Sequence, residues 1–160
     1  MEIQSNSMNR ANNYIEALGV AGVVASLIFV GIQIQQTNEA TRSATVLQLK
    51  DSWVQYNIAY ATSPELNLAE QDVLTNGWDG ANSQSRRLFV GSMRTLFHIW
   101  SNAYFQYKNG TLDTAQWTPI HREIVDAMQY EGVRHAWEET RFLYEDEFQI
   151  IVDNEIVQIE

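Results

Sequence analysis

The chain has 160 residues, with 20 Asp and Glu against 10 Lys and Arg, for a formal charge of −10. Such a surface repels phosphate backbones, so nucleic acid is not expected as a partner. The absence of cysteine excludes disulfides, thiolate nucleophiles, Fe–S clusters and thiolate zinc sites, and the length suits a single domain beside one apolar segment.

In chain order, residues 1–12 read as a polar tail and residues 13–36 as a transmembrane helix. Ala17 to Asn38 holds no charged residue. Ala17 to Ile34 covers about 27 Å as a helix, close to a bilayer core of roughly 30 Å. Ala17, Leu18, Val20, Val23, Val24, Leu27, Ile28, Phe29, Val30 and Ile32 make up its apolar body. With Ile34, the larger of these residues favour insertion by about 3–6 kcal/mol in total. Apolar side chains occur at every helical angle, unlike the one-sided stripe of a surface helix. Gln33, Gln35 and Gln36 at one end and Tyr14 at the other suit the two interfaces.

Two other readings of this run compete with a membrane span. One is the buried central helix of a soluble bundle. The other is a cleaved signal peptide with Arg10 in its basic leader. Ala21, Gly22, Ala25 and Ser26 place small residues four apart, the spacing that lets two membrane helices approach closely. Arg42 and Lys50 on the carboxyl side, against Arg10 on the other, favour a cytoplasmic carboxyl-terminal domain.

Residues 37–160 read as a helical soluble domain. Val46, Leu49, Trp53, Tyr56 and Tyr60 line one helical face, which Ser63-Pro64 should end. Glu65 to Leu74 reads as a short helix and 76–83, rich in Asn and Gly, as a loop. Phe89, Met93, Leu96, Trp100, Ala103 and Tyr107 form a heptad-like seam, closed by Asn109-Gly110. Thr118-Pro119 is expected to start the next helix, and Gly132 to break the chain near Tyr130. Val133, Ala136 and Trp137 begin one more helix. Phe148, Ile151, Val152 and Ile156 mark a last one, although 149–159 is ambiguous between helix and strand. The fold class is therefore all-α: a transmembrane helix continuing into a compact helical bundle.

The chemistry-bearing residues are sparse. Neither a nucleophile elbow nor a phosphate-binding glycine loop is present. His135 has Glu131 four before and Glu138 three after, all on one helical face. Di-iron bundles need Glu-x-x-His on two helices, and that motif is missing. No catalytic, cofactor or metal residue is assigned. If a pocket exists, Trp53, Trp100 and Trp137 should border it, with Arg94 and Arg134 as polar contacts.

The segments Ile15-Glu16-Ala17-Leu18-Gly19, Ser26 to Ile34 and Asn38-Glu39-Ala40-Thr41-Arg42 carry a resemblance, as do Gly110-Thr111-Leu112-Asp113, Trp117, Gly132-Val133-Arg134, Trp137, Phe148 and Val152-Asp153. The pattern resembles a group of small bacterial proteins of unknown function with one amino-terminal span and a helical remainder. Ala136-Trp137 replaces the Trp-Trp pair frequent in that group. The resemblance implies a single-pass protein of the bacterial inner membrane and no established activity. The expected partners are the lipid bilayer and either another protein or a second copy of the chain. The function expected first is protein interaction or signal sensing by the helical domain. Second is a soluble bundle with the apolar helix buried or in an oligomer interface. Third is a metal-binding enzyme built on His135, Glu131 and Glu138.

Overall fold

The computed structural model describes residues 2–157; the side chains of residues 1–15 and of Ala17 lie outside the described set. Among the described residues the chain is built of helices joined by short turns, without strands. The helices are α1 (Glu2–Thr62), α2 (Pro64–Gly80), α3 (Ser83–Lys108), α4 (Thr114–Met128), α5 (Glu131–Thr140) and α6 (Asp146–Val157), with a 3₁₀ turn at Arg141–Leu143. Two compact units divide within α1, Met1–Thr41 and Arg42–Glu160.

The first unit is a single helical stretch. It starts at Glu2, earlier than the polar tail suggested, because no Pro or Gly interrupts the backbone before Gly19.

The second unit is the bundle, built around α3. Phe89, Met93, Leu96, Trp100 and Ala103 are all buried, and Tyr107 packs against them at the edge. Phe97 joins the seam to the later helices. Its ring lies 5.7 Å from Trp100 and 5.3 Å, edge-on, from Trp137. Trp137 in turn stacks on Tyr144 at 5.4 Å and meets Phe148 edge-on at 5.8 Å. These offset and edge-to-face arrangements suit the aromatic quadrupole, each contributing about 0.5–1.5 kcal/mol beyond burial.

Polar side chains fix how the helices join. Ser63 Oγ accepts from the Leu66 N–H at 3.3 Å, and Asn67 Nδ2 donates to the Tyr60 carbonyl at 3.0 Å. The end of α1 is thereby held against the start of α2. The Asn82 backbone N–H and Nδ2 donate to Asp72 Oδ2 at 3.1 and 2.6 Å, while Asn82 Oδ1 caps α3. Hydrogen bonds from Ser85, Asn76 and Asn82 hold the Asp72 carboxyl below its ordinary range. The indole N–H of Trp137 donates to Asp153 Oδ1 at 2.9 Å, and Asp153 also pairs with Arg141, fastening α6 over α5.

Three details differ from the sequence reading. Residues 76–80 continue α2, which breaks at Gly77 with φ 74° and ψ 172° before a last turn. Helix α4 starts at Thr114 rather than at Pro119. Asp113 and Gln116 form a reciprocal capping box there (3.0 and 3.2 Å), which satisfies two amide donors that a start at Thr118 would leave outside the helix. The chain does break at Gln129 and Tyr130, but Gly132 itself lies inside α5, buried against α2.

Candidate functional site

In the first unit, the chemistry on display is apolar surface. Leu18, Leu27 and Phe29 are 72%, 66% and 61% exposed, and none of the residues in the most apolar window is buried. Val20, Val23, Val24, Ile28, Val30, Ile32 and Ile34 are exposed as well. Four consecutive residues, Leu27 to Val30, share this state, so the apolar surface runs around the helix. Ala21, Gly22, Ala25 and Ser26 are also exposed, and the Ser26 hydroxyl donates to the Gly22 carbonyl at 2.9 Å. That bond gives the hydroxyl donor an acceptor within its own helix. This is the one helix among the described residues long and apolar enough to cross a membrane. Of the residues read as a span, 13–15 and Ala17 have side chains outside the described set.

In the bundle, the five residues grouped by sequence as a pocket serve separate purposes. Trp100 and Trp137 are packed in the core, at 0% and 1% exposure. Trp53 packs on the core edge and meets Tyr56 edge-on at 6.4 Å. The Arg94 side chain is exposed, and its carbonyl accepts from the Tyr144 hydroxyl at 3.1 Å. Burial pushes the Tyr144 phenol up to about 12. Arg134 Nη1 donates to the Met128 and Gln129 carbonyls at 2.7 and 3.0 Å. It closes the end of α4, where cations complement the helix dipole.

The histidine trio does assemble. Glu131 approaches His135 Nε2 at 3.7 Å and Glu138 approaches Nδ1 at 3.6 Å. The carboxylates flank opposite edges of the imidazole instead of converging on one lone pair, as a metal ion would require. The ring also stacks on Trp78 at 5.0 Å, and the Arg86 guanidinium lies 5.8 Å from the Trp78 ring centroid. No group of three His, Cys, Asp or Glu with metal-holding geometry occurs among the described residues.

Two cavities flank Tyr56. A groove of about 560 Å³ lies between α1 and α3, its mostly apolar surface interrupted by Ser52, Gln55, Ser92, His98 and Asn102. A smaller, mostly apolar cavity of about 290 Å³ is bordered by Phe89, Met93, Leu96 and Val133, with Glu70 in its lining. Tyr56 walls both, and its hydroxyl lies 3.2 Å from Ser92 Oγ. Burial raises the Tyr56 phenol, against the opposing pull of Ser92; Glu70 and Glu123 add to the rise.

Comparison with protein families, curated proteins and solved structures finds no match.

Sequence reasoning overlooked Glu70 and Ser92 as site residues. Glu70 is adjacent to buried Ala69 and three before buried Val73, so its placement beside the apolar stripe of α2 was available from helical spacing. Ser92 follows the same logic beside Met93.

Proposed function

We propose that this protein is a single-pass membrane protein whose helical domain, residues 42–160, engages a protein partner or senses a membrane-associated signal. One observation carries the reading: an apolar helical surface, uncovered on every side from Leu18 to Ile34. Soluble monomers rarely leave apolar patches larger than a few hundred Å² in water. A bilayer removes this cost, and the helix satisfies its own backbone hydrogen bonds there. Tethering confines the bundle to two dimensions and raises its effective concentration near membrane-bound partners. Arg42 and Lys50 beyond the apolar stretch support a cytoplasmic bundle.

Membrane fractionation tests the proposal. The protein should sediment with membranes, resist alkaline carbonate and need detergent for release. A Leu27→Arg, Phe29→Arg double variant should move substantially to the supernatant, because each arginine at mid-span costs about 2.5–3.5 kcal/mol. Recovery of the wild-type chain in a high-speed supernatant as a discrete oligomer would replace the tether with an interface formed by the same helix.

A further inference from the structure

We propose that the cavity bordered by Tyr56, Glu70, Phe89, Met93, Leu96 and Val133 binds a small organic ammonium ion with an apolar body. The inference goes beyond membrane attachment and concerns the bundle alone.

The cavity has the composition of a small-molecule site. At about 290 Å³ it sits at the small end of the range for ligand pockets, roughly 300–1,000 Å³. Such pockets pair an apolar lining with a few polar groups that fix orientation. Phe89, Met93 and Leu96 on α3 and Val133 on α5 supply the apolar wall, and Tyr130 stands exposed at the rim.

Glu70 supplies the charge, and no ion pair or hydrogen bond to its side chain occurs among the described residues. Its carboxyl is partly buried, and that burial raises it above the ordinary carboxylate range. The other acidic side chains of the bundle that face partners find them. Glu147 pairs with Lys108, Asp153 with Arg141, and Glu155 with His121 at 3.2 Å. A partly desolvated carboxylate without a counterion is costly, and a cation brought by a ligand offsets that cost. The Tyr56 and Tyr130 rings add cation–π attraction. An anion would face both Glu70 and a chain of charge −10. A neutral apolar molecule would leave Glu70 as it is. The combination of cavity, unpaired carboxylate and aromatic walls therefore selects an ammonium group on an apolar frame.

Calorimetric titration of the full chain in detergent micelles, with protein-free micelles as baseline, tests this with phenethylammonium as the probe. Its neutral counterpart is 2-phenylethanol. The ammonium should bind saturably at one site, and the alcohol at least tenfold more weakly. Glu70→Gln should lower ammonium affinity at least tenfold while leaving the near-ultraviolet circular dichroism of the tryptophans unchanged. Glu131→Gln, which removes an exposed carboxylate outside the cavity, should leave the affinity unchanged. Non-saturable uptake, equal affinity for ammonium and alcohol, undiminished binding by a folded Glu70→Gln variant, or an equal loss in Glu131→Gln would each overturn the proposal. The last outcome would reduce the effect to the general acidity of the surface.

Discussion

Replacing Gly132 by alanine sets helix propensity against packing, and the structure gives the outcome. In α5, alanine is favoured over glycine by about 1 kcal/mol. A Cβ at this position would lie 2.6 Å from Val73 Cγ1 and 3.5 Å from Phe89 Cε1. Carbon atoms pack at about 3.5–4.0 Å, so the first contact is roughly 1 Å too short. Val73 is buried and β-branched, with one strongly preferred rotamer in a helix, and cannot swing aside. Overpacking typically costs about 1–3 kcal/mol, and an overlap this large belongs at the upper end. The net expectation is a loss of about 1–2 kcal/mol, or a fall in Tm of about 4–8 °C, read from tryptophan near-ultraviolet circular dichroism in detergent. Val73→Ala in the Gly132→Ala background should recover part of the loss beyond additivity, because it opens the space the new methyl needs. A Gly132→Ala variant as stable as wild type, or more so, would refute the close approach of α5 to α2.

Three further outcomes are expected. Asp153→Ala should destabilise the bundle by about 1–3 kcal/mol in urea unfolding, since it strands the buried Trp137 N–H without an acceptor; Asp153→Asn should lose less, keeping an acceptor oxygen. Asp72, held below its ordinary 3.8 by hydrogen bonds, contributes stability above that value that is lost as pH falls through its lowered folded pKa. Asp72→Asn should therefore flatten the acid limb of a stability-versus-pH curve. Glu70 has the opposite sign. Burial raises it above 4.5, so its contribution is present below that value and lost as pH rises through the folded pKa. Glu70→Gln should be more stable than wild type at neutral pH, and the difference should shrink in acid, as measured by urea unfolding at each pH.

The parts of the fold legible in the sequence are those governed by periodicity and local stops. The Phe89 to Ala103 seam is buried as its spacing predicts, Ser63-Pro64 separates α1 from α2, and Gly110 takes the left-handed φ of 73° that closes a helix without Cβ strain. Residues 149–157, equivocal as a pattern, are helical because Phe148 and Val152, four apart, both insert into the core. What escaped depends on contacts between distant elements. Pro119 is a good first-turn residue, but the Asp113 and Gln116 box starts the helix a turn earlier. Gly132 resembles a breaker until Val73 is seen against it. The aromatic richness of Trp100 and Trp137 suggested a pocket, yet both fill the core, and the cavities lie around Tyr56. Trp100 retains an indole N–H with no partner at hydrogen-bond distance among the described residues, which no local pattern could foretell.

The clasp of Asp153 on Trp137 and Arg141 also has a consequence in time. A polypeptide is made from its amino end, and the aromatic centre cannot close before Phe148, Val152 and Asp153 have been synthesised. The stretch from Leu18 to Ile34 leaves the ribosome more than a hundred residues sooner. Whatever receives that stretch meets it while the bundle is still unfinished, so its destination is chosen before the domain has a shape.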